Sequence, residues 1–167
     1  MQWLPYRLNR YMMQEIPSKK GNYLLVFRLE EKTRENMCRF KDVILEPGYY
    51  LYCGSAHGSG GLKGRITRHL TGSFKKFWHI DFLKECLRLF EVWCQVSSEK
   101  NECSFYQFLR NQMGGEIPIK GFGSSDCKNK CESHLVRFQQ KTNLNHIFIE
   151  LNREFDGMIR IYAHDLL

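Results

Sequence analysis

Residues 46–70 spell out a strand, a glycine-rich loop and a helix in succession. The turn signal Glu46-Pro47-Gly48 introduces the aromatic, β-prone run YYLYCG, which Gly54 closes. The loop Ser55-Ala56-His57-Gly58-Ser59-Gly60-Gly61 follows. Its glycines let a backbone approach a ligand closely, and they serve equally as a connector with no binding role. Leu62, Ile66 and Leu70 then fall on one stripe at the i, i+4, i+8 spacing of an amphipathic helix. Arg65 and His69, also four apart, stack beside that stripe, so a guanidinium and an imidazole project together toward whatever the loop presents.

Around this unit the chain alternates between strand and helix patterns. Residues 21–30, GNYLLVFRLE, are apolar and β-prone, and charged residues through Glu35 lead to a second strand, CRFKDVIL, so the pair predicts a hairpin. Residues 78–89 predict a helix and 90–96 a strand by apolar alternation. From Asn101 to Met113 a helical stripe carries Phe105, Tyr106, Leu109 and Met113, and it includes Glu102. Residues 134–138 read as a strand. HIFIELNREF and MIRIYAHDL, around Asp156-Gly157, predict a C-terminal β-hairpin. The fold class is therefore mixed α/β, with a central sheet holding the strands near Tyr23 and Tyr52 and helices beginning near Leu62, Trp78 and Asn101.

At 167 residues the chain is the size of one domain, able to bury a core without disulfides or metal. A hydrophobic fraction of 43% with 26% charged residues and 4 prolines excludes disordered, collagenous and membrane compositions. No stretch reaches the roughly 18 consecutive apolar residues of a membrane helix, and Met1 to Arg10 lacks the apolar core of a signal peptide, so the expected location is cytoplasmic, with no membrane partner.

The net charge of +7 is unevenly placed. Between Gly54 and Arg88 stand seven basic residues (Lys63, Arg65, Arg68, Lys75, Lys76, Lys84, Arg88) against Asp81 and Glu85, so +5 of it lies there. With Phe74, Phe77 and Trp78 alongside, this excess suits a polyanion: cations displace phosphate counterions and aromatic faces stack on bases. A solvated basic helix is the ordinary alternative.

Seven cysteines without a secretory signal argue against a disulfide framework, and the odd number would leave one unpaired. Cys127, Cys131 and His134 have ligand types that suit zinc if a fourth group such as Cys103 comes near in space, but their spacing is loose and favours buried or free thiols. Glu102 points along a face that should be buried, which costs free energy unless the carboxylate is paired, hydrogen-bonded or bound to a cation. The competing explanation is a first-turn position, where the helix macrodipole favours an anion.

In order, the chain presents a Gly-x-Tyr (Gly21, Tyr23), a Tyr-x-Gly (Tyr52, Gly54), an Arg-x3-His on a helix and a lone Glu opening a later helix. This order resembles the GIY-YIG nuclease superfamily. More closely, GYYLYCGSAHGSGGLKGRITRHL, FWHIDFL, NEC and GFGSSDC…C…SHL are similar to a branch of it in which the two tyrosine motifs lie farther apart. The resemblance spans residues 21–138, leaving 1–20 as an N-terminal extension and 139–167 as a C-terminal β-hairpin packed on the same domain.

The resemblance implies a small mixed or antiparallel sheet flanked by helices, and cleavage of phosphodiester bonds with one divalent cation. Glu102 would hold Mg²⁺ or Mn²⁺, a hard cation that keeps several waters and needs few protein ligands. Arg65 would contact the phosphate oxygens. Tyr23 would orient or deprotonate the attacking water, with nearby cations favouring its phenolate and Tyr52 bonding to the same water. His69 would share the proton traffic as a group titrating near neutrality. Ser55, Lys63, Arg68, Lys75, Lys76 and His79 would line the electropositive rim. The superfamily's usual asparagine matches neither Asn111 nor Asn129 securely, and Cys53 stands where an aliphatic residue is usual.

Two functions of different class follow. The first is a divalent-metal-dependent DNA endonuclease. The second is a non-catalytic module that binds nucleic acid or docks a repair enzyme. DNA is favoured over RNA, although nothing in the motifs distinguishes ribose from deoxyribose, and the oligomeric state is open.

Overall fold

The computed structural model describes residues 16–37, 39–71 and 79–163. Among the described residues, seven strands and four helices follow in the order β1 (Gly21–Leu29), β2 (Thr33–Met37), β3 (Phe40–Leu45), β4 (Gly48–Ala56), α1 (Gly61–Thr71), α2 (His79–Cys86), β5 (Arg88–Val96), α3 (Glu102–Asn111), β6 (Leu135–Gln139), α4 (Leu144–Phe155) and β7 (Met158–Tyr162). The class is mixed α/β, as the patterns predict. Five strands form one sheet in the order β6-β4-β1-β5-β7, with every neighbouring pair antiparallel.

The central place of β1 follows from its composition. An unbroken apolar run must be covered on both faces, which only an interior strand achieves. Tyr23, Leu25 and Phe27 face one core, shared with Leu62, Ile66 and Leu70 of α1 and Ile80 and Leu83 of α2. Leu24 and Val26 face the other, shared with Phe105 and Leu109 of α3 and Ile147 and Leu151 of α4. Helices therefore cover both faces of the sheet.

Two strand expectations change. The run CRFKDVIL does not pair with β1: its partner is the charged segment before it, and β2 and β3 make a separate two-stranded sheet in which Thr33 faces Leu45 and Glu35 faces Val43. A ribbon carrying Arg34, Glu35, Lys41 and Asp42 cannot be covered on both sides, so it meets the core through Met37 and Leu45 and leaves β1 to β4 and β5.

The C-terminal β-hairpin is instead a helix followed by a strand. Leu144, Ile147, Phe148 and Leu151 recur at helical spacing, and the Asn143 side chain caps the helix by accepting the His146 N–H at 3.3 Å. The β-prone Ile and Phe residues hid this period. Asp156 and Gly157, both at positive φ, end the helix, and β7 then pairs with β5. Residues 139–163 are thus an edge strand and a covering helix of the main sheet, not an appendage. Among the described residues no helix is long and apolar enough to cross a membrane.

Candidate active site

A cleft of about 790 Å³ opens where the end of β4, the starts of β1 and β6, the helices α1 and α3 and the 123–129 loop converge. Tyr23, Tyr52, Arg65, His69 and Glu102 all line it. They come from β1, β4, α1 and α3, brought together by the register of the sheet.

The two tyrosine motifs meet directly. Tyr23 pairs with Gly54 across β1 and β4, and a Cβ on Gly54 would stand 2.4 Å from the Tyr23 ring, so only glycine lets the phenol lie over the neighbouring strand. Gly21 is equally constrained, because a Cβ there would meet the Gln95 carbonyl oxygen at 2.0 Å. The glycines of both motifs are spacing residues for the sheet end on which Tyr23 sits.

Tyr23 Oη and His69 Nε2 share a hydrogen bond of 2.7 Å, and both residues are 2% exposed. Burial dominates their ionisation. It pushes the Tyr23 phenol well above its ordinary value, with Tyr52 adding and Arg65 opposing. Tyr52 is raised for the same first reason, also against Arg65. His69 is lowered to about 3 by burial, which the Asp81 carboxylate opposes and Arg65 reinforces. Two expectations are corrected here: Arg65 does favour the Tyr23 phenolate but burial outweighs it, and His69 does not titrate near neutrality.

The His69 shift has a measurable consequence. A histidine held neutral in the fold binds a proton only in the unfolded chain between about 6.5 and 3, so stability falls as pH drops through that window, by about 1.4 kcal/mol per unit. Its stabilising contribution is whole above about 6.5. Urea unfolding at pH 7, 5.5 and 4.5 should show this slope, and His69→Gln should flatten it.

Glu102 reaches the cleft from an unexpected direction. The body of α3 packs on the face of the sheet opposite Tyr23, yet its first residue stands at the strand ends and turns into the cleft. Asn22, the middle residue of Gly-x-Tyr, holds it there: fully buried, it donates to the Glu99 carbonyl at 2.9 Å and accepts the Asn101 N–H at 2.8 Å. One Glu102 carboxylate oxygen, Oε2, is buried without a hydrogen-bond partner, a costly arrangement that a cation would relieve. The first-turn reading holds for the residue's position, since Glu102 opens α3. It supplies no partner for Oε2.

The basic rim differs from expectation. Lys63 is half-buried and Arg68 exposed on α1, and neither lines the cleft; Lys100 and Lys128 line it instead, beside Arg65. Lys75 and Lys76, with Phe74, Phe77 and Trp78, lie outside the described residues. Ser55 lines the cleft. His79 also lines it, but its Nδ1 accepts the Gly123 N–H at 2.9 Å, and burial followed by Arg39 lowers its pKa, so it supports the loop instead of offering charge to phosphate.

Asn129 lines the cleft, whereas Asn111 sits exposed at the far end of α3. Cys53 belongs to the opposite core, where it affects packing. Cys103, Cys127, Cys131 and His134 form one cluster at the cleft wall, with their donor atoms all within 4.8 Å of one another. This convergence meets the condition on which the zinc alternative depended, that Cys103 come near the other three in space. Asn22, Lys100 and Lys128 carry no motif of their own in the sequence; the only signal was their place beside Tyr23, Glu102 and Cys127.

A family model described as a domain of unknown function, DUF123, matches residues 22–156. The chain belongs to this family. The DUF123 match takes in Tyr23, Tyr52, Arg65, His69, Glu102 and the whole Cys/His cluster, and ends before β7. It continues through α4, beyond residue 138 where the motif resemblance stops. No curated protein and no solved structure matches the chain.

Proposed function

We propose that this DUF123 chain is a divalent-metal-dependent endonuclease of GIY-YIG type that hydrolyses phosphodiester bonds in DNA. One observation carries the reading: five side chains with complementary roles in phosphodiester hydrolysis, spread over residues 23–102, line a single cleft that contains an unpartnered carboxylate oxygen.

Glu102 fits a hard divalent cation, since it offers a free oxygen donor and the open cleft leaves room for the metal's waters. Bound there, Mg²⁺ or Mn²⁺ supplies positive charge to the phosphate and the leaving 3′ oxygen. The chain's own residues do the rest. Arg65 faces the non-bridging oxygens, whose charge grows as water attacks.

Water activation runs through a proton relay that ends with the positive charge on His69. Tyr23 takes the water's proton as its own phenolic proton passes to His69 Nε2 across the 2.7 Å hydrogen bond, so no free phenolate forms. The bound phosphate's negative charge raises the affinity of His69 for that proton above its value in the free protein. Tyr52 orients the same water, and Lys100, Lys128 and Ser55 bind the flanking backbone. A cytoplasmic location belongs to this reading.

A second reading, a nucleic-acid-binding or repair-enzyme-docking module on the same fold, is favoured by the uncharged state of Tyr23, Tyr52 and His69 in the free protein. The full chain, incubated with labelled DNA and RNA of several shapes with and without added Mg²⁺ or Mn²⁺, separates the two. Divalent-dependent strand scission of DNA, with affinity falling steeply as salt rises, is expected. Salt-sensitive binding without scission would leave the nucleic-acid-binding module, and salt-insensitive binding without scission would leave only the docking role.

A further inference from the structure

We propose that Cys103, Cys127, Cys131 and His134 bind one zinc ion, and that this centre fastens the N-terminus of α3 to the 123–134 loop and so builds one wall of the cleft. The inference does not depend on the cleft being catalytic.

The donor set is chemically specific. Three thiols and an imidazole are the ligands of closed, four-coordinate structural zinc. They come from three separate places: the first turn of α3, the 127–131 turn and the residue leading into β6. Cys103 Sγ lies 3.4 Å from Cys127 Sγ and 3.6 Å from His134 Nε2. A zinc tetrahedron with ordinary bond lengths has edges of about 3.8 Å between sulfurs and about 3.6 Å between sulfur and nitrogen. The two edges at Cys103 are therefore close to those of a zinc tetrahedron, and all four donors lie within 4.8 Å of one another; a disulfide would engage two of the thiols and strand the third with the imidazole.

The surroundings hold His134 and the loop in place. The imidazole Nε2 faces the Cys103 thiol. The His134 main chain is pinned on both sides, its N–H to the Phe122 carbonyl and its carbonyl to the Cys53 N–H, each at 2.8 Å. In the loop, the Cys127 N–H donates to the Ser124 carbonyl and the Lys130 N–H to the Cys127 carbonyl, each at 3.1 Å. Lys130 takes a left-handed backbone (φ 55°) to close the turn between the two loop cysteines. Three thiolates around Zn²⁺ leave a net charge of −1, which the adjacent Lys128 and Lys130 offset.

The consequence for the cleft is positional. Cys103 follows Glu102 directly, and Cys127 and Asn129 line the cleft with it. With α3 tied to Asn22 on one side and to the metal on the other, the Glu102 backbone has little freedom.

The test is elemental analysis of the untagged full chain, purified under reducing conditions from zinc-supplemented medium. One zinc per chain is expected, and exchange for Co²⁺ should give the intense visible bands of tetrahedral thiolate cobalt. Cys127→Ser and Cys131→Ser should lower zinc affinity by at least about 100-fold, the upper end of what losing a supporting hydrogen bond does. Cys86→Ser, whose thiol bonds the Leu83 carbonyl away from the cluster, should keep full zinc. If the ligand variants do not fold, cobalt exchange and thiol titration of the unaltered chain still decide. Metal-free protein with the cluster thiols reactive, a disulfide among them, or an iron–sulfur chromophore would each overturn the assignment. Zinc retention by Glu102→Gln separates this centre from the catalytic reading.

Discussion

Glu102→Gln is expected to abolish divalent-dependent cleavage while the chain still folds, keeps its zinc and binds DNA as tightly as before or slightly more so. The substitution preserves shape and removes the charge that a Mg²⁺ or Mn²⁺ ion requires. Losing the metal's stabilisation of phosphate and leaving oxygen is worth several kcal/mol, or at least about 10³-fold in single-turnover rate. Affinity is spared because a carboxylate facing phosphate repels it. The fold is spared too: Oε2 has no hydrogen bond to lose, and the macrodipole contribution of a first-turn anion is at most about 1 kcal/mol. Arg65→Ala supplies the comparison, since removing a phosphate contact should cut the rate by orders of magnitude and weaken binding as well. Unchanged cleavage by folded Glu102→Gln protein would eliminate the one-metal mechanism and return Glu102 to the role of a helix-end anion.

Tyr23→Phe isolates the proton relay. The ring keeps its place over Gly54 and in the core, and only the hydroxyl and its bond to His69 Nε2 disappear. A single buried hydrogen bond costs about 1 kcal/mol when lost, up to about 3 if its partner is left unsatisfied, so the protein should remain folded. The chemical step should slow by about 10² to 10⁴, the usual contribution of positioned proton transfer. DNA affinity should not move, because a side chain 2% exposed has almost no surface to offer a ligand. Rates measured with enzyme in excess over substrate, alongside binding in Ca²⁺, separate these effects. A Tyr23→Phe protein that cleaves at the normal rate would transfer water activation to another group, with Tyr52 next in line.

Much of the cleft is legible in the amino-acid sequence because local spacing carries it. Arg65 and His69 share a helix face by arithmetic alone, and the apolar stripe of α3 singles out Glu102 as a carboxylate needing a partner. The aromatic run ending at Gly54 marks a strand entering a loop. Other elements mislead for physical reasons. The segment around Ile147, Phe148 and Ile149 has β-prone side chains on a helical period, and packing against Leu24 and Val26 chose the helix. The β2–β3 ribbon contains strand patterns like any other, and nothing local says which neighbour a strand will pair with.

Nearest neighbours along the chain decide helix faces, turn sites, the apolar identity of β1 and the side chains available for chemistry, and all of these are written in the sequence. Three further matters depended on tertiary structure. It put Glu102 in the same cleft as Tyr23 from a helix on the far face of the sheet, through Asn22. It gathered Cys103 to Cys127, Cys131 and His134 across 31 residues of chain. It buried Tyr23 and His69 so deeply that both stay uncharged near neutrality. Each depends on groups distant in sequence and on exclusion of water, and solvent exclusion is a property of the packed chain that no local pattern encodes.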